Sequence, residues 1–167
     1  MERGALMESD DLEGFSAWTM WDRRNALPGI KCPGIYVIAR SDRNIQGRPF
    51  RWREEIIYIG MTNSIGGLRS RLKAFDDTLR GRESHGGAQR VRFKYSEYAS
   101  LAPKLFVAIS PMPCIVDSNR PEDLRIMGDI VKQEYECFAC FAERFSRLPE
   151  FNDKKRSLKR DRKLAVD

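Results

Sequence analysis

Two short apolar runs constrain this chain more than anything else in it: Gly34-Ile35-Tyr36-Val37-Ile38-Ala39 and Ile56-Ile57-Tyr58-Ile59-Gly60. Both are rich in β-branched residues and bounded by turn formers, with Pro33 before the first and Gly60 closing the second, so both read as strands. A period of two places Tyr36 and Ile38 on one face and Ile35 and Val37 on the other, and gives Ile56, Tyr58 and Gly60 a common face. Paired as a hairpin, the strands bring two phenols together beside a glycine that leaves room for a phosphate. The loop Met61-Thr62-Asn63-Ser64-Ile65-Gly66-Gly67 follows, and then Leu68, Leu72 and Phe75 recur at helical spacing. That pattern predicts an amphipathic helix opening just after a glycine pair. Taken alone, its Arg69 and Arg71 read as a solvated basic face.

The C-terminal third predicts a long helix. Asn119 is its expected N-cap, Pro121 stands near the first turn, and Glu122 and Asp123 suit the positive end of the dipole. An apolar stripe of Leu124, Met127, Val131, Phe138, Ala142, Phe145 and Leu148 runs along it, flanked by Ile130 and Phe141. Glu134 falls inside that stripe, where a carboxylate is costly unless it is paired or holds a metal. Glu136 lies on the opposite, polar side with Asp129, Lys132 and Glu143. A buried salt bridge to an arginine is the plainer account of Glu134.

Elsewhere the signals are coarser. Leu105-Phe106-Val107-Ala108-Ile109-Ser110, bracketed by Pro103 and Pro111, reads as a central strand, and a further helix is expected around 88–99. Residues 79–90 read as a glycine-rich loop around His85, whose plain reading is a surface histidine. Residues 1–30 form an extension in which Trp18, Met20, Trp21 and Leu27 pack as one amphipathic segment. The stretch 41–53 is long for a hairpin connection. Its Arg48, Arg51 and Arg53 alternate with Phe50 and Trp52, which suits a nucleic-acid-contacting flap or, equally, a charged ribbon with snorkelling arginines. The tail from 153 carries Lys154, Lys155, Arg156 and then Lys159, Arg160, Arg162 and Lys163, suited to nonspecific phosphate binding or to a solvated helix end.

Composition sets the frame. A chain of 167 residues suggests one domain with a real core. Thirty Lys and Arg against 24 Asp and Glu give a net charge of +6, compatible with a polyanionic partner. No apolar run is long enough for a membrane helix and the acidic start is no signal peptide, so no membrane partner and a cytoplasmic setting are expected. Cys137 and Cys140 form a C-x-x-C inside a helical stretch, while Cys32 and Cys114 add no second close pair. The expectation is reduced thiols and no structural zinc.

The two triplets Gly34-Ile35-Tyr36 and Tyr58-Ile59-Gly60, in that order and followed by Leu68-Arg69-Ser70-Arg71, resemble the GIY-YIG nuclease family. The resemblance covers roughly residues 33–152. It implies an α/β fold with a small, mainly antiparallel, three-stranded central sheet flanked by helices, in a nuclease domain over 31–152. It also implies hydrolysis of DNA phosphodiesters with one divalent cation, Mg²⁺ or in its place Mn²⁺. Tyr36 would be the general base, Tyr58 would position water or phosphate, and Arg71 would stabilise the transition state. Glu134 would hold the metal. Asn152, in a Pro149-Glu150-Phe151-Asn152 stretch similar to one that follows this helix in several members, would brace the site. Gly60, Arg69 and Lys73 would join the phosphate contacts.

Several members carry a His or Tyr one turn after the catalytic arginine, where this chain has Phe75. His85 is the candidate to take that part. A stand-alone nuclease of a bacterium, phage or mobile element fits best, acting on DNA or on RNA. The competing readings are a catalytically silent nucleic-acid-binding module on the same fold and an unrelated basic α/β protein.

Overall fold

A computed structural model describes residues 14–159, and it shows an α/β protein built on one antiparallel sheet. The elements in chain order are β1 (Thr19–Met20), β2 (Gly34–Arg40), β3 (Ile56–Thr62), α1 (Gly67–Leu79), α2 (Gly86–Lys94), α3 (Tyr98–Leu101), β4 (Leu105–Pro111) and α4 (Pro121–Phe145). The sheet has four strands in the order β1-β4-β2-β3, so β2 and β4 are central. Residues 1–13, and the basic residues Arg160, Arg162 and Lys163 of the tail, lie outside the described residues.

The fourth strand corrects the sequence expectation of three. Thr19 and Met20 pair with Val107 and Phe106 on the free edge of β4. Two residues between tryptophans carry too little alternation to announce a strand. Nor do the tryptophans share one amphipathic face. Trp18 is buried on one side of the sheet and Trp21, with Leu27, on the other.

β2 and β3 form the expected hairpin, with Tyr36 opposite Gly60 and Ile38 opposite Tyr58. A bulge between Ile38 and Ala39 shifts the register, so that Ile56 pairs with Ala39 and lies on the face opposite Tyr58 and Gly60. A bulge resets the two-residue period, which the alternation pattern alone does not anticipate.

Each sheet face carries its own core. One packs Tyr36, Ile38, Val107 and Ile109 against α1 and α2 through Leu68, Leu72, Phe75, Ala88 and Val91. The other packs Ile35, Val37, Ile59 and Ala108 against Ile130, Cys137 and Phe141 of α4. The buried stripe of α4 is therefore Asp123, Ile130, Cys137 and Phe141. Leu124 and Val131, placed in the stripe by the sequence reading, are largely exposed, and Leu148 lies beyond the helix. The apolar arc of this helix is wider than the face it buries, and composition alone does not say which edge faces inward.

The N-cap is Arg120 rather than Asn119, which instead adopts a left-handed φ of 56°. The buried Asp123 draws the turn together, accepting from Ile115 N–H and Arg120 Nε. The helix expected at 88–99 is two pieces, α2 and α3, separated by extended residues.

The 41–53 connection packs on the sheet face opposite the tyrosines. Phe50 stacks on Phe15 at 4.3 Å, lies 5.3 Å from Trp18, and takes the edge of Trp52 at 5.2 Å. All four rings belong to the α4 side of the sheet. Arg53 pairs with Glu55 at 2.9 Å, and the Arg48 carbonyl accepts from Trp18 N–H. These aromatics complete a core, because burying their area against apolar neighbours is worth more than leaving them in water.

Candidate active site

The register of the hairpin builds the site. With Tyr36 opposite Gly60 and Tyr58 opposite Ile38, the phenols are diagonal neighbours on one face, their ring centroids 6.0 Å apart. Gly60 is required there. A Cβ at that position would stand 2.4 Å from Tyr36 Cζ and Oη. The space it leaves is therefore filled by the Tyr36 ring, not open to a phosphate as the sequence reading had it. Gly87 does the same for Tyr58, whose Cε2 would be 2.3 Å from an added Cβ.

α1 opens at Gly67, whose φ of +62° and close approach to the Lys31 carbonyl suit glycine alone. Its inner face presents Leu68, Leu72 and Phe75 to the core. Arg71 sits beside this stripe, half-buried, and its Nε is buried with no hydrogen-bond partner. The guanidinium acts electrostatically on Tyr36, Tyr58, His85 and Glu134 together, which places it at the centre of the cluster. Arg90 of α2 has a buried, unpartnered Nε as well and also bears on Tyr58.

His85 folds into the cluster. It is 2 % exposed, and its Nε2 lies 2.8 Å from Tyr36 Oη. It is also the N-cap of α2: Nδ1 accepts from the Gly87 and Ala88 N–H groups at 3.1 and 3.2 Å. Burial first, and then Arg71, pull its pKa down to about 3, so the ring is neutral at ordinary pH. A neutral imidazole whose Nδ1 accepts keeps its proton on Nε2. His85 therefore donates to the Tyr36 oxygen. Thr78 secures the loop, its Oγ1 accepting from Ser84 N–H and His85 N–H and donating to the Ala74 carbonyl. Phe75 sits 4.9 Å from the His85 ring and supports it from α1.

Tyr36 is wholly buried. Burial, reinforced by Tyr58 and opposed by Arg71, holds its pKa well above that of a free phenol. Tyr58, half-buried, is raised mainly by burial too, with Arg71 pulling against it.

Glu134 of α4 is half-buried, and burial raises its pKa against the pull of Arg71. Glu136 is exposed and bears on Cys137 and Cys140, away from the cluster. Asn152 occupies the open edge of the sheet. Its Oδ1 accepts from Ile59 N–H at 2.9 Å, and its Nδ2 donates to the Ile59 carbonyl at 2.8 Å. The carboxamide acts as a one-residue strand, holding β3 between Tyr58 and Gly60.

Other predicted contacts lie apart. Lys73 is exposed and paired with Asp77 at 2.5 Å on the outer side of α1. Arg69, Lys154 and Lys155 are exposed, and Arg156 lies 3.6 Å from Asp153. Arg48, Arg51 and Arg53 belong to the connection packed on the other sheet face. Arg90 and Thr78 were missed by sequence reasoning. The Gly86-Gly87 pair after His85 hinted at a close approach, but only the fold shows what approaches.

Among the described residues no group of three or more His, Cys, Asp or Glu side chains gathers to hold a metal. A single hard cation asks for less, since one or two carboxylates and water suffice when substrate supplies further oxygens. Glu134, half-buried and without an ion-pair partner among the described residues, fits that role. No helix of the described residues is long and apolar enough to cross a membrane. No family model, curated protein or solved structure matches this chain.

Proposed function

We propose that this protein is a metal-dependent endonuclease of the GIY-YIG kind, hydrolysing phosphodiester bonds in DNA. The observation that carries the reading is the cluster itself: Arg71 acts on Tyr36, Tyr58, His85 and Glu134 together, and His85 Nε2 lies 2.8 Å from Tyr36 Oη. Mg²⁺ held by Glu134 would supply Lewis-acid stabilisation of charge on a phosphoryl oxygen.

The chain's own groups divide the remaining work. Arg71 meets the charge that builds on the phosphoryl oxygens and, already desolvated, does so without reorganising. Tyr36 takes the proton of the attacking water as general base. Its phenolate must be favoured against burial, and the Nε2–H of His85 and the charge of Arg71 act in that direction. His85 thus stabilises the phenolate by donation and does not itself receive the proton. Tyr58, on the more open side, orients water and phosphate. Asn152 keeps the β3 edge in register.

A second reading, a silent nucleic-acid-binding module on the same fold, draws on one specific observation: Tyr36 is fully buried and its phenol is hard to ionise. Nicking of supercoiled plasmid in Mg²⁺ or Mn²⁺ decides between them, with Glu134→Ala, Glu136→Ala and an EDTA control. Metal-dependent nicking lost in Glu134→Ala alone is expected. Loss in Glu136→Ala instead would move the metal to the other helix face, and binding without nicking by the wild type would leave the silent module.

A further inference from the structure

Behind His85, α2 and the C-terminal segment enclose a second site. An open pocket of about 330 Å³ is lined by Glu83, Gln89, Arg92, Phe93, Ser96 and Lys159, with Thr78 at its inner end. Thr78 is the residue that holds the His85 backbone, so the pocket adjoins the tyrosine cluster. Lys159 reaches over the start of α2, since a Cβ on Gly86 would lie 3.1 Å from its Nζ, and its charge is felt at His85.

The lining is unusual in what it leaves unused. Phe93 is 40 % exposed on α2, whose other face buries Ala88 and Val91. The Gln89 amide, the Arg92 guanidinium and the Glu83 carboxylate make no hydrogen bond or ion pair with the described residues. Phe93 also walls a second, smaller hollow of about 180 Å³ with Arg90, Arg156 and Leu158. The ring is therefore a ridge between two basic hollows, and Arg90 joins the second of them to the Tyr58 side of the cluster.

We infer that this pocket binds an unpaired nucleotide of single-stranded DNA, its base stacked on Phe93 and its flanking phosphates on Arg92 and Lys159. Duplex DNA offers phosphates along its outside but keeps its base faces stacked inside. An exposed ring set in a concave basic pocket is matched by a strand whose bases are free. Glu83 argues the same way: a carboxylate repels phosphate but accepts from the N–H edge of a base, as the Gln89 amide also can. The inference rests on the proposed nuclease reading, and names a substrate for it with a single-stranded segment beside the scissile bond.

The test is binding in EDTA, where no cleavage intervenes. Fluorescence anisotropy with a labelled 12-nucleotide single strand is compared with the same sequence as a hairpin duplex, for wild type, Phe93→Leu and Phe93→Tyr. Stacking of about 1–3 kcal/mol per base predicts that Phe93→Leu weakens single-strand binding about 5- to 150-fold and duplex binding by less than twofold, while Phe93→Tyr binds as wild type. A 2-aminopurine in the strand should be quenched by wild type and Phe93→Tyr but not by Phe93→Leu. Equal losses on both ligands, or none, would overturn the pocket. Tighter binding of the RNA strand of the same sequence would overturn its assignment to DNA. Because Phe93 is exposed, both variants should melt as wild type does, which separates a lost contact from a lost fold. Single-strand selectivity in a protein that nicks nothing would sink the nuclease and keep the pocket. Nicking with unchanged binding in Phe93→Leu would do the reverse.

Discussion

The two faces of the central sheet are made by alternate residues of the same strands, yet they are different materials. Toward α4 the side chains are Ile35, Val37 and Ile59 against Ile130, Cys137 and Phe141, with hardly a polar atom among them. Toward α1 and α2 the face holds Tyr36 and Tyr58 with His85 and an unpaired Arg71 Nε. The first face has nothing to lose by burial. The second carries desolvated phenols and a guanidinium, groups that are costly to bury and must be held by one another. One residue of strand phase thus separates where stability is made from where, in the proposed reading, chemistry is done. Asn152 keeps the two in step by fixing β3 at Ile59.

That contrast breaks if both faces respond alike to truncation. Phe141→Ala should cost about 3–5 kcal/mol of unfolding free energy by urea titration, the range for a fully buried ring replaced by a cavity. The cleavage rate per folded molecule should stay unchanged. Arg71→Ala should do the opposite. Nicking should fall about 10²- to 10³-fold, as for other preorganised transition-state donors, while the melting temperature holds or rises because an unpaired buried donor has gone. A stability loss in Arg71→Ala as large as that in Phe141→Ala would mean that the guanidinium is structural.

The boundary between the faces can be probed at Gly60. An added methyl would stand 2.4 Å from the Tyr36 ring, and that ring is hemmed in by Tyr58 and His85. Gly60→Ala should cost about 3 kcal/mol, at the upper end of ordinary overpacking, and should move Tyr36 off His85. Both urea titration and nicking should register it, since this glycine belongs to stability and chemistry together.

Much of this was legible in the sequence. The hairpin, α1 and the central β4 follow from β-branched runs and helical spacing, because patterns that a buried face imposes survive in one dimension. So does the inward placement of Glu134 relative to Glu136. What was not legible came from longer-range geometry. The β1 pairing depends on an edge that only the folded β4 offers. The bulge beside Ile38 turned Ile56 to the other face, and the aromatics of the 41–53 connection were claimed by Trp18 and Phe15 for a core. His85 was a loop residue with a suspected part. Its place on Tyr36, and the direction of its hydrogen bond, follow from the α2 N-cap that it forms.

That N-cap yields the last and smallest effect. His85 is the sole histidine of the chain, and its pKa falls from 6.5 to about 3 on folding. The unfolded chain therefore binds the proton first as pH drops, so stability is complete above about pH 6.5 and is lost on acidification through the window down to about 3. Between pH 7.5 and 5 the loss should be about 2 kcal/mol by urea titration. Asp76 and Asp123, with lowered pKa values, act with the same sign but only toward the acid end of this window, while Glu134, raised by burial, works with the opposite sign. His85→Gln, neutral at every pH, should flatten the slope whatever it does to the level. Comparison within Glu134→Gln removes the opposing carboxylate. A slope that survives His85→Gln would mean the imidazole is accessible to protons in the folded protein, and a histidine that can be protonated there no longer has its donor fixed on Nε2 alone. The polar face would then be a solvated cleft, and its difference from the α4 face one of composition only.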